Sequence, residues 1–172
     1  MTNEDPWFFE VRADAFVSLV LTKRNDVKVV PDAGPLGDMA LDLRVEILKG
    51  GKSISRFFYA QLVPHLDLPE IQRVELGVMS HGLTLKRNPV EKLVPICVFV
   101  VGVRKPEGIY RWSLEPVVEN GQASLRECRE ANWQDLDEQG ADRLIGQVNA
   151  WYDAVNEGPT SKWQSRHSKT GS

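Results

Sequence analysis

The tightest constraint on the fold is an alternating run that turns back on itself. In "MALDLRVEIL" (Met39 to Leu48), the apolar Met39, Leu41, Leu43, Val45 and Ile47 alternate with Ala40, Asp42, Arg44 and Glu46. That period of two is the signature of a half-buried strand. "KGGK" follows, and Gly50-Gly51 suits a two-residue hairpin turn that needs positive φ. The chain returns as "SISRFFYAQLV" (Ser53 to Val63), so an antiparallel hairpin is predicted. Pairing symmetric about the two glycines sets Asp42 opposite Tyr59, Ala40 opposite Gln61 and Asp38 opposite Val63. Asp42, Tyr59, Gln61 and Val63 then share one face, while Leu41, Leu43 and Val45 face a helix.

The helix to cover that second face lies upstream. "DPWFFEVRADAFVSLVLTKR" places Asp5 as N-cap and Pro6 at the first helical position. Phe9, Ala13, Phe16, Val17, Val20 and Leu21 recur at helical spacing, which predicts a helix from about Pro6 to Arg24. A short strand at Val27 to Val30 is stopped by Pro31. Downstream of the hairpin, "EIQRVELGVM" reads as a strand and "SHGLTLKRNPVEKL" as a loop with a short strand or helical turn. "VPICVFVVGV" (Val94 to Val103) has the length of a central strand buried on both faces, and "GIYRWSLEPV" follows the "KPEG" turn as another strand. "ASLREC" reads as a last short strand. A final helix is predicted from about Glu138 to Asn156, with Leu144, Ile145, Val148, Trp151 and Val155 on its apolar face. The order predicts an α+β or α/β arrangement around a mixed sheet.

With 172 residues, the chain fits one domain, residues 1–156, followed by a polar tail, residues 157–172, too poor in apolar periodicity to order itself. No apolar run reaches the ~18 residues of a membrane span. The acidic "MTNEDPW" has no basic n-region, so no secretory signal is expected and the expected location is cytoplasmic. Cys97 and Cys128 make no disulfide framework, and Cys97 reads as a small core residue. Net charge is −3, but the tail carries three basic residues against one acid, leaving 18 basic and 23 acidic residues in the body. An acidic body counts against general attraction to phosphate backbone while leaving room for a local basic patch.

On spacing alone, Asp42, Arg44 and Glu46 read as an ordinary solvated face. The competing reading is a divalent-ion site, because an aspartate and a glutamine on adjacent strands offer the oxygen ligands that hard cations take. Other positions carry less. His65 and Asp67 in "PHLD" are two ligands without a third. His81 reads as turn chemistry, and Lys86 and Arg87 as a solvated loop. Trp163 is an aromatic in a basic tail, either a docking point or idle.

"GDMALDLRVEI", "FFYAQLV" and "NPVEKLVPICVFVVGVRKPEGIYRWSL" resemble a bacterial domain-of-unknown-function family related to the PD-(D/E)XK, or restriction-endonuclease-like, nucleases. The resemblance runs roughly from Phe9 to Val155. It implies a restriction-endonuclease-like mixed β-sheet flanked by an N-terminal and a C-terminal helix. Asp42 takes the place of the metal-binding aspartate, Gln61 that of the second ligand, and Glu10 that of an acid on the first helix. Ala40 replaces the glycine that usually stands before the aspartate. Val63 stands where the catalytic lysine belongs.

In such nucleases the lysine ammonium neutralises charge that develops beside the scissile phosphate, while a metal activates and orients. Valine does neither. Arg44 is the nearest basic residue in the expected register, and a guanidinium can clamp a phosphate but stays protonated. The resemblance therefore implies a degenerate, non-catalytic member that binds a partner protein or nucleic acid, in a bacterial defence setting, with no cofactor or a weakly bound Mg²⁺. One alternative is an active Mg²⁺-dependent DNA nuclease whose basic residue has moved. Another is a structural protein-interaction subunit with a vestigial site.

Overall fold

Pro6 opens the first helix, as its fixed φ and missing N–H allow. A computed structural model of the chain describes residues 6–31, 41–65, 94–128 and 132–157. Helix α1 (Pro6–Thr22) leads into strand β1 (Val27–Pro31), which stops at a proline that cannot continue the ladder. Strands β2 (Leu43–Lys49) and β3 (Lys52–His65) form the hairpin. Then come β4 (Ile96–Gly102), β5 (Glu107–Glu119), β6 (Gln122–Glu127), the two-residue β7 (Gln134–Asp135) and helix α2 (Glu138–Glu157). The predicted strand at "EIQRVELGVM", the loop after it, and the polar tail from Gly158 lie outside the described residues.

The strands form one mixed sheet in the order β1-β2-β3-β4-β5-β6, with β7 also pairing with β5. Only β3 and β4 run parallel; the other pairs are antiparallel. The architecture is therefore α+β. Two glycine-bearing turns hold the antiparallel hairpins. Gly50 and Gly51 take φ of 58° and 75° between β2 and β3, as their sequence predicts. Asn120 and Gly121 take 51° and 73° between β5 and β6, an Asn-Gly hairpin signal that the sequence reading passed over.

The β2–β3 register differs from the symmetric expectation. Lys49 pairs with Lys52 and Leu48 with Ser53, but Ile47 then pairs with Arg56, leaving Ile54 and Ser55 as extra residues on β3. Ser55 accommodates the bulge with a φ of 60°. From there on, Arg44, rather than Asp42, lies opposite Tyr59, and Leu43 lies opposite Ala60. The slip is two residues, and side chains alternate with period two, so the residues paired in the ladder from Leu43 to Ile47 keep their predicted faces.

Both helices pack on the same face of the sheet. Leu43, Ala60, Cys97 and Trp112 line up across four strands there, with Val45 and Phe58 beside them. Ala13, Val17, Val20 and Leu21 of α1 and Ala141, Leu144, Ile145 and Val148 of α2 complete this core. Asp137 caps α2 by accepting the Gly140 N–H at 2.7 Å. Arg24, just after α1, pairs with Asp26 at 2.7 Å and with Asp142 of α2, holding the two helices together at the surface. Val155, placed by periodicity on the apolar face of α2, is instead exposed, and Ala154 is buried in its place.

The opposite face of the sheet is also apolar. Val98, Val100 and Ile109 form one buried cluster there, and Leu41, Ile96 and Leu114 another. Every residue of β4 is therefore buried, in keeping with its uninterrupted apolar sequence. Leu41 belongs to this second cluster, with Tyr59 packed against it, and not to the helix-covered face where alternation placed it. The ladder begins only at Leu43, so the pleat that orders Leu43 and Val45 does not extend back to Leu41.

Candidate functional site

The hairpin carries the predicted site residues to one end of β2 and the middle of β3. Asp42 sits just before β2, and its N–H donates to the Ala60 carbonyl at 2.9 Å. Its carboxylate Oδ2 accepts the Leu62 N–H at 2.6 Å. The side chain thus takes up a β3 donor at the point where the β2 ladder has ended. Although the Asp42 residue is exposed overall, partial desolvation of its carboxyl raises its pKa above the ordinary value; the Leu62 N–H opposes that shift, and the negative charge of Glu10 adds to it. Gln61 stands between Ala60 and Leu62, the two residues whose backbone holds Asp42. The charge of Glu10 on α1 reaches Asp42, while Gln61, flanked by the helix-facing Ala60 and Leu62, sits on the other face of β3 in register with Val98.

These donors are all hard oxygens, the type that Mg²⁺ takes. One Asp42 oxygen is already committed to Leu62. The remaining Asp42 oxygen, the Glu10 carboxylate and the Gln61 amide oxygen are what could hold such an ion, with little formal charge between them. Among the described residues, no group of three or more His, Cys, Asp or Glu side chains is placed to hold a metal.

Val63 packs against the cluster of Val98, Val100 and Ile109, with Trp133 beside it. Position 63 is thus part of a hydrocarbon patch, where a charge would have to be desolvated. Arg44 is turned to another task. Its Nη2 lies 2.6 Å from Glu46 Oε1, and its guanidinium sits 5.9 Å from the Phe57 ring centre. His65 ends β3, where its carbonyl accepts the Val103 N–H at 2.8 Å. Asp38, Ala40, Asp67, His81, Lys86, Arg87 and Trp163 lie outside the described residues.

One residue of this face escaped the sequence reading. Gln61 of β3, Val98 of β4 and Arg111 of β5 lie in register across three strands. At the ~4.8 Å spacing of neighbouring strands, about 10 Å separates the first backbone from the third. Arg111 is only 7% exposed, the one buried charged residue among those described. Its Nη1 donates to the Cys128 carbonyl at 3.4 Å, its guanidinium lies 5.3 Å from the Trp133 ring centre, and its Nε has no partner. The Trp133 Nε1 is also buried without a partner. Burial lowers the Arg111 pKa, and the groups that counter it are the two thiols, Cys128 and Cys97, rather than any carboxylate. Each orphaned buried donor costs about 1–3 kcal/mol. The available signal was a lone arginine in "GIYRWSL", at the parity of Ile109 in an otherwise apolar strand.

Comparison with known proteins finds no matching family model, no matching curated protein and no matching solved structure.

Proposed function

We propose that this chain is a restriction-endonuclease-like domain that has lost phosphodiester cleavage and serves as a binding module for nucleic acid. Supporting the fold assignment is the order of helix, strand, hairpin and parallel strand, with an aspartate before β2 and Gln-Leu-Val within β3. The single observation that carries the non-catalytic reading is Val63, packed among Val98, Val100 and Ile109 where a nuclease needs an ammonium. A guanidinium held by Glu46, as Arg44 is, does not replace it. Mg²⁺, if held by Asp42, Glu10 and Gln61, would supply charge to position a phosphate. With one Asp42 oxygen engaged by Leu62, that binding would be weak.

The runner-up is a Mg²⁺-dependent nuclease with a relocated basic residue, and the reach of the Glu10 charge to Asp42 is what favours it. Purified full-length protein separates the two. The expected result is salt-sensitive binding of short single- or double-stranded DNA, read by fluorescence anisotropy, with no cleavage above background in Mg²⁺ or Mn²⁺. Metal-dependent cutting that Asp42→Ala abolishes would promote the nuclease. Absence of DNA binding even at low salt would remove the nucleic-acid reading and leave a protein-interaction role.

A further inference from the structure

Among the described residues, three buried side-chain donors lack a hydrogen-bond partner, Arg44 Nε, Arg111 Nε and Trp133 Nε1, and of the two guanidinium groups Arg44 already has a carboxylate in Glu46. Arg111 Nε and Trp133 Nε1 both lack partners, and the Arg111 guanidinium lies 5.3 Å from the Trp133 ring centre. Buried donors are nearly always paired, so an orphaned pair in contact calls for an acceptor. No ion pair to Arg111 is present among the described residues. Its single hydrogen bond there, to the Cys128 carbonyl, is long at 3.4 Å. Val98 and Ile109 beside it are apolar. A buried guanidinium of this kind normally has an anion beside it.

We propose that Arg111 and Trp133 form a subsite for a phosphate group. The guanidinium edge that carries Nε is suited to two oxygens of an oxyanion. The indole N–H belongs to a second plane and supplies a donor for a third. A tetrahedral phosphate presents three oxygens that are not coplanar, whereas a carboxylate presents two in one plane. The subsite requires neither a metal nor Asp42, so it does not rest on the nucleic-acid reading above. Gln61 lies in the same cross-strand row, and a phosphate bound here is therefore on the face that the degenerate site shares.

The test is titration of ¹⁵N-labelled full-length protein with inorganic phosphate, with chloride at equal ionic strength, with acetate, and with a short single-stranded oligonucleotide. The readouts are the Trp133 indole N–H and the Arg111 Nε–H resonances, the former assigned through Trp133→Phe. Phosphate is expected to move both saturably, while chloride does not and acetate does so only weakly. Arg111→Met should weaken phosphate binding about tenfold or more, since it removes a charge-assisted pair. If Arg111→Met does not fold, Trp133→Phe keeps the charge, and a several-fold weakening read at Arg111 Nε–H supports the subsite. Saturation by the oligonucleotide as well as free phosphate identifies a nucleic-acid source; saturation by free phosphate alone identifies a small phosphorylated ligand and removes the nucleic-acid reading. No saturable shift with either phosphate source, equal response to acetate, or an affinity indifferent to both substitutions would overturn the subsite.

Discussion

The Asp42 carboxylate accepts the main-chain N–H of Leu62 at 2.6 Å, across the open end of the β2–β3 hairpin. An aspartate placed by sequence among metal ligands thus has a structural duty in the apo chain. Asp42→Ala is expected to lower stability by about 0.5–1 kcal/mol, because the contact is solvent-exposed and water can take up the freed donor. Urea unfolding monitored by far-UV circular dichroism checks this, and a loss well beyond that range would show that Asp42 organises the whole hairpin end.

The pH dependence at Asp42 has a definite sign. Burial and the Glu10 charge raise its folded-state pKa above the ordinary 3.8, despite the Leu62 bond. The folded chain therefore holds this proton more tightly than the unfolded chain. The resulting stabilisation is present below the ordinary value and lost as pH rises through the raised folded value. Asp42→Asn keeps an oxygen acceptor for Leu62 and removes the titration. The stability of wild type relative to Asp42→Asn should fall as pH rises from below the ordinary carboxylate value through the raised folded value, by less than about 1 kcal/mol for so exposed a group. A difference that rises with pH would reverse the assignment.

Val63→Lys tests how tightly position 63 is packed. The new chain would enter the cluster of Val98, Val100 and Ile109, so a cost of about 1–3 kcal/mol is expected, toward the low end if the ammonium snorkels to water. Thermal and urea unfolding both read it. An unchanged stability would mean that this position faces solvent and could once have held an ammonium without penalty.

Gly140→Ala should be far more damaging than any of these. A Cβ there would meet the Asp135 carbonyl oxygen at 2.0 Å and Tyr110 Cε1 at 3.2 Å. The clash lies in the first turn of α2, whose N–H at Gly140 is capped by Asp137. Backbone must move, and a loss of about 3 kcal/mol or more is expected. Retention of wild-type stability would mean that β7 and the start of α2 are not held together as described.

Much of the fold could be read locally. Helix-spaced Ala13, Val17, Val20 and Leu21, the alternation from Leu43 to Ile47, and the unbroken apolar run of β4 each specify an element, because burial imposes its period on neighbouring residues. Of the site residues named from the sequence, Asp42 accepts the Leu62 N–H and feels the Glu10 charge, and Val63 lies against an apolar cluster; their roles rest on the resemblance alone. Arg111 was not found, since nothing within "GIYRWSL" says which strands flank it.

The sequence by itself determined where the main strands and both helices form and which face each paired hairpin residue from Leu43 onward presents, because side-chain parity is a property of the chain alone. Parity survived even the two extra residues at Ile54 and Ser55, since a slip of two restores it. Only the tertiary structure decided that Arg44 faces Tyr59, that Leu41 leaves the helix-covered core, and that Gln61, Val98 and Arg111 share a row. Those depend on register and strand order, set by the bulge and by the parallel docking of β4 on β3. Both are long-range choices governed by packing, and periodicity carries no record of them.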